Sequence, residues 1–260
     1  MQSMERLFDD LPLWGVFVAT LLLVLAAVEA GYRLARQRQK VHELEKEAPV
    51  GAMVGATLGL LAFLLAFTFG IAADAFHARK EALVKEASAI RMTYLLSDVT
   101  LEAHRSEIRT VLREYVDQRL RWAGGQPDEP GKSARDLLDQ LWNAAAAVGV
   151  QAPGAVDVFL GYVGRLIELQ GERVMVRERS RIPGTYWAVL YVIAALALAA
   201  MGYHVGIAGA NRSHALLAVA LAFSAVMLVI ADLDRPGQGL INVSQEPMLD
   251  LRATLARMKP

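Results

Sequence analysis

Apolar and polar positions alternate along this chain on two scales. On the long scale, four runs are nearly free of charge: Leu11 to Gly31, Val50 to Ala73, a run opening at Thr185 and a run opening at His214. The second of these holds 24 consecutive uncharged residues, which as a helix is roughly 36 Å, enough to cross a hydrocarbon core of roughly 30 Å. On the short scale, the stretch from Asp74 to Pro183 repeats its apolar residues at three-and-four spacing and shows no sustained strand alternation. The pattern predicts an all-α integral membrane protein, with four transmembrane helices and a helical soluble bundle inserted between spans two and three.

The flanks sharpen each span. The first is preceded by Glu5, Arg6, Asp9 and Asp10 and followed by Arg33, Arg36, Arg38 and Lys40. A secretory signal would carry its basic residues in front, so this is a retained span. Trp14 and Tyr32 mark its ends, as do Tyr186, Trp187, Tyr191 and Tyr203 in the third span. Glu29 falls in the last turn of the first span, within reach of the headgroups. A charged hairpin ending at Pro49 then leads to the second span, which runs without a breaker into Asp74, Arg79, Lys80 and Glu81.

In the bundle the first helix continues from the membrane with Phe76, Leu83, Ala87, Ile90 and Tyr94 on its apolar face, punctuated by Ser97 and Asp98. A second, about Leu101 to Trp122, buries Ile108, Val111, Leu112, Tyr115, Val116 and Leu120 and stops at Gly124 and Gly125. Ser133 with Asp136 opens a third in the manner of a capping box, its buried side being Leu137, Leu138, Leu141, Trp142 and Ala145. A fourth, about Ala155 to Arg179, buries Val156, Phe159, Tyr162, Val163, Leu166 and Ile167. The domain plan is 1–48 for the first span and basic hairpin, 49–73 for the second span and 74–183 for the bundle. The third and fourth spans take 184–232, and the tail 233–260, where Leu249 to Met258 forms a last short helix.

Charge changes this picture little. Lys and Arg balance Asp and Glu at 27 each, so no net field favours nucleic acid. Between Asp74 and Pro183 the count is 16 basic against 16 acidic, a salt-bridge-laced bundle rather than a dedicated basic face. At 55% apolar the chain is too greasy for a soluble domain of its length. Cysteine is absent, which removes thiolate chemistry.

Four spans place both termini and the bundle on one membrane face. The Arg-rich hairpin argues for that turn in the cytoplasm, whereas Arg79, Lys80, Lys85, Arg173, Arg177, Arg179 and Arg181 argue for the bundle side.

No catalytic, cofactor or metal signature stands out, and the expectation is a non-enzyme without cofactor. His204 and His214 flank one turn with no third ligand in view. Three features remain. Gly51, Gly55 and Gly59 lie four apart and leave one face of the second span almost bare, for packing within the chain or between subunits. Phe63, Phe67 and Ile71 form a bulky stripe, either facing lipid or bundle or forming a constriction that gates by dewetting. Asp74 and Arg79 at one span exit, and Asp232, Asp234 and Arg235 at another, are either a salt-bridged collar or an ion-attracting vestibule.

The run GLLAFLLAFTFGIAADAFHARKEALVKEASAI from Gly59 and the tail DLDRPGQGLINVSQEP from Asp232 resemble the bestrophin-like family of bacterial membrane proteins, itself remotely similar to bestrophins, the pentameric anion channels. In bacterial bestrophins a bulky apolar neck leads into Phe, a polar run, then Tyr-Asp-Arg-Trp-Trp and Glu-Ala-Arg. Phe67 matches the Phe, Asp74 the Asp and Phe76 the first Trp, with Ala78 and Arg79 one position from the Ala-Arg. Thr68, Phe69 and Gly70 replace the polar run, and Ala75 the Arg. The resemblance implies that Gly59, Phe63 and Phe67 face a pore constriction in a homo-oligomer, a pentamer in that family, passing an anion such as chloride. It also implies a cell inner membrane location with the bundle and termini cytoplasmic. The partners are then membrane lipid, further copies of the chain and a permeant anion, with no nucleic acid. The competing expectation is a non-conducting anchor or sensor whose bundle binds a partner.

Overall fold

The structure, a computed structural model, describes residues 12–39, 47–100, 102–126, 133–149, 153–179, 181–209, 214–235 and 239–258. The turn around Asn211 and Arg212, most of the linker before Pro49 and the centre of the loop after Gly125 lie outside them. The helices are α1 (Leu13–Gln39), α2 (Glu47–Leu96), α3 (Glu102–Ala123), α4 (Ala134–Gly149), α5 (Pro153–Arg179), α6 (Gly184–Ile207), α7 (His214–Asp234) and α8 (Glu246–Arg257), with a 3-10 turn at Ser97–Val99. Among the described residues there is no strand. Four helices, α1, α2, α6 and α7, are long and apolar enough to cross a membrane.

The chain divides into two compact units, Met1–Ala75 with Arg181–Asn242 and Phe76–Ser180 with Val243–Pro260. The division falls inside α2, whose 50 residues carry no proline after the first turn, where proline is tolerated. The tail's helix belongs to the second unit and starts at Glu246, three residues before the expected Leu249, with a proline in its first turn.

In the first unit α1 packs against α6 and α7. The α1–α6 contact is made by backbone. A methyl placed on Gly31 would run into the Ala199 carbonyl, one on Gly202 into the Val28 carbonyl, and one on Gly206 into Ala35 and the Tyr32 carbonyl. Small residues four apart permit this approach, and dispersion between close backbones replaces the hydrophobic drive that hydrocarbon removes. A hydrogen bond of 2.8 Å between the Thr20 and Tyr191 hydroxyls spans the same pair of helices. Thr68 and Ser224 donate back to the carbonyls of Leu64 and Ala220, which satisfies each hydroxyl inside its own helix.

The second unit is built on side chains. Its core joins Leu83, Ala87, Ile90 and Tyr94 of α2 to Ile108, Leu112, Tyr115 and Val116 of α3, Leu137, Leu138 and Leu141 of α4, Phe159, Val163 and Leu166 of α5, and Met248, Leu251 and Leu255 of α8. The element ends follow local chemistry. The hydroxyl of Ser133 caps the amide of Asp136 while the Asp136 carboxylate accepts from the amide and hydroxyl of Ser133. Helix α3 ends with Gly125 at φ 79° and a bond from the Gln126 amide to the Arg121 carbonyl, a Schellman arrangement. Trp142, expected on the buried side of α4, is exposed, because Leu138, Leu141 and Ala145 already fill the stripe that faces the core.

Candidate functional site

The membrane half of α2 has two unlike sides. Val54, Leu61, Thr68 and Ala75 are buried, seven residues apart, and so fall on one face of the helix. The rest of the span is mostly exposed, Met53, Leu60 and Phe69 included, and so is the side opposite that line. Phe63 is 66% exposed and Phe67 58%, and a methyl added at Gly59 would meet no atom within 4 Å. Gly59, Phe63 and Phe67 therefore share one uncovered strip, and Asp74, seven residues after Phe67, lies exposed on its continuation. Each step of four or seven residues returns to the same side of a helix.

The glycines of this span are not alike. Gly51 sits against the imidazole of His204 on α6, whereas Gly55, like Gly59, faces open space. Within one chain, the close backbone contact is made instead by Gly31, Gly202 and Gly206. The Gly202-x-x-x-Gly206 spacing was the signal for it.

Asp232, Asp234 and Arg235 are all buried at the end of α7. Asp232 accepts from the amides of Leu240 and Ile241 at 2.8 and 2.9 Å, and Gly239 leaves the room its carboxylate needs. Asp234 accepts from the amide of Ile182 at 2.8 Å, immediately before α6. The two acids thus hold backbone from two directions, and such charge-assisted bonds are about twice as strong as neutral ones. Arg79 lies in the second unit, half-buried on α2.

The second unit contains charge that no sequence pattern marked. Glu86 is fully buried in the apolar face of α2. It accepts from the Tyr115 hydroxyl at 2.5 Å and from Arg119 at 3.1 Å, and Arg173 stands 3.4 Å from its second oxygen. Burial first, and then the Glu86 charge, pushes the Tyr115 pKa well above its ordinary value, so the phenol stays a donor. A second group sits around Tyr94. Arg109 lies 4.7 Å from its ring centre and donates to Ser97 and Asp98. Arg113 donates to the Tyr94 hydroxyl and to the carbonyls of Leu255 and Met258, which fastens the C-terminal end of α8 to α3. Among the described residues no three His, Asp or Glu side chains group in a way that could hold a metal.

A family model for the bestrophin-like domain matches residues 15–248. The chain belongs to the bestrophin-like family. Among solved structures, this bestrophin-like chain is similar to a crystallised membrane protein variant at 13% identity, covering 94% of this chain and 98% of that one with a TM-score of 0.59. It is also similar to two variants of a bacterial bestrophin homologue from Klebsiella pneumoniae. They are 14% and 15% identical, each match covers 93% of this chain and 95% of the other, and the TM-scores are 0.55 and 0.54. At these identities the likeness is one of fold. Comparison with curated proteins finds no match.

Proposed function

We propose that this chain is the subunit of a bestrophin-type channel, a homo-oligomer that passes anions through an apolar neck made by Gly59, Phe63 and Phe67 of α2. The observation that carries the reading is the bare strip itself. Two phenylalanines four residues apart stay exposed on the side opposite the one line of buried residues, Val54, Leu61 and Thr68, in a span whose other positions are largely uncovered as well. A ring of copies, five as in bestrophins, would cover that strip by turning it to a common axis, where stacked phenyl rings make a hydrophobic constriction. Gly55 would then admit a neighbouring copy at close range. In this reading the second unit is a water-exposed bundle that lies with both termini in the cytoplasm, and the spans cross the inner membrane. Asp74, at the lower end of the strip, faces the exit of the pore, while Asp232, Asp234 and Arg235 brace the ends of α6 and α7.

Chloride flux into proteoliposomes tests this. Replacing both Phe63 and Phe67 with alanine is expected to raise flux several-fold by widening and wetting the neck. Background flux in both the wild-type protein and the double variant would sink the channel reading and leave the non-conducting anchor, whose bundle binds a partner, in its place.

A further inference from the structure

In the bundle core the positive charge exceeds the negative at one point. Glu86, with no exposed surface, is shared by two guanidinium groups: Arg119, whose side chain is 5% exposed, and Arg173, at 14%. Both lie within 3.5 Å of the same carboxylate oxygen, Oε2. The Glu86 carboxylate also takes the Tyr115 proton donor, so it has little left to offer. The sum over the buried Glu86 and Arg119 and the half-buried Arg173 is one positive charge in excess. One buried guanidinium nitrogen, Nη1 of Arg119, makes no hydrogen bond among the described residues, and Nε of Arg173 faces Glu86 Oε2 at 3.4 Å as an ion pair without the alignment of a hydrogen bond. Leaving a charged donor buried and unsatisfied costs more than the ~1–3 kcal/mol of a neutral one. Both guanidiniums also lie near the indole of Trp122, 5.4 and 5.3 Å from its ring centre, so each gains a cation–π contact beside the carboxylate they share. Burial holds the Arg173 pKa below its ordinary value against the attraction of Glu86, and Arg119 adds to the fall.

We propose that Arg119 and Arg173, which meet beside Glu86 and Trp122, bind a small oxyanion of the phosphate or sulfate type. The forked guanidinium matches such an ion through paired N–H donors, which a spherical halide cannot engage in the same way. The ion completes the hydrogen bonding of Arg119 Nη1 and neutralises the surplus charge that Glu86 leaves. Access is from the side of Arg173 and Trp122, the two members that keep some exposed surface. Tyr115 and Glu86 position the arginines and do not touch the ligand. The balanced charge count of this region conceals the site, because the balance holds for the whole region and not for its interior.

The test uses the full chain in detergent, titrated with sodium phosphate at fixed ionic strength against sodium chloride, reading both Tm and tryptophan emission. Wild-type protein is expected to show a saturable rise in Tm and a saturable change in emission, and Trp122→Phe to lose the emission change. Arg173→Gln is expected to lose the phosphate-dependent rise while remaining at least as stable as wild type in phosphate-free buffer, since it removes the surplus charge. Arg173→Lys keeps the charge without the fork and is expected to weaken phosphate binding about tenfold. Arg165→Gln, on the exposed side of α5, should leave the response intact. The absence of a saturable response in wild type overturns the proposal, as does an undiminished response in both Arg173 variants. Loss of folding in Arg173→Gln together with a flat wild-type titration would make the triad a structural ion pair only.

Discussion

In the first unit α1 and α6 press backbone against backbone at Gly31, Gly202 and Gly206, whereas in the second unit the helices stand apart by the width of leucine, phenylalanine and tyrosine side chains. Hydroxyls are treated alike in the two units, and the difference among polar groups lies in the charged ones. The hydroxyls of Thr68 and Ser224 turn back onto their own helices. The hydroxyl of Thr93 does the same in the second unit, but there charged groups also reach across to other helices, as Arg119 does to Glu86 and Arg113 to the end of α8. Under the proposed function, with the first unit in the bilayer and the second in water, the contrast is the one that two solvents impose. Hydrocarbon supplies no drive to bury apolar side chains, so helices there gain from close contact and self-satisfied hydroxyls. Water drives large side chains together and leaves any polar group trapped among them in need of partners.

The sharpest way to break this contrast is to give the first unit a side chain where it has none. Gly202→Val would drive a branched side chain into the Val28 carbonyl. Overpacking of a core usually costs ~1–3 kcal/mol, and here the obstacle is backbone, which cannot turn aside as a side chain can. The variant is therefore expected to fall out of the folded fraction on detergent size-exclusion chromatography, while Gly55→Ala, with open space around it within the chain, remains folded. Equal yields of the two would show that the α1–α6 contact is looser than described.

In the second unit the matching change is Glu86→Gln. It removes the one carboxylate that the buried Arg119 and the half-buried Arg173 share, and breaking a buried ion pair from one side costs about 3–5 kcal/mol. Chemical unfolding of the full chain, followed through the helical signal, should show that loss. A change within the ~1 kcal/mol typical of exposed pairs would mean that water reaches the cluster freely. The surface pair Arg165–Glu168 gives the scale, since its removal should be near silent.

Most of the helices were legible because their signals are local. Apolar run length finds the spans, Ser133 with Asp136 announces α4, and Gly124 with Gly125 ends α3. That Gly59, Phe63 and Phe67 lie on one side of a helix follows from their spacing alone. What spacing cannot reveal is that, among the described residues, no helix covers them, which depends on where α1, α6 and α7 settle. Glu86 was missed for a related reason. A lone acid beside Leu83, Ala87 and Ile90 reads as an edge of the stripe, and its burial follows only once Tyr115, Arg119 and Arg173 arrive from two other helices. Gly202 and Gly206 carried a readable motif, but Gly51, Gly55 and Gly59 displayed a longer copy of it in a neighbouring span.

The smallest expected effect gives the finest test of the buried cluster. Tyr115 ordinarily titrates near 10, and its folded-state value is raised, by burial first and by the Glu86 charge after it. The native state therefore holds the phenol proton more tightly than the unfolded chain does. The stabilisation is complete below about pH 10 and is lost as the pH climbs further, because the unfolded chain gives up its proton first. Tyr115→Phe deletes this dependence. Near neutral pH it should cost ~1–3 kcal/mol, for Glu86 loses one donor while keeping its arginines. Above pH 10 the gap between wild type and variant should shrink, by at most ~1.4 kcal/mol for each further pH unit. Parallel unfolding curves from pH 8 to pH 11 would decide the matter. A gap that stays constant across that range would place the Tyr115 hydroxyl in water, and with it the floor on which Arg119 and Arg173 rest.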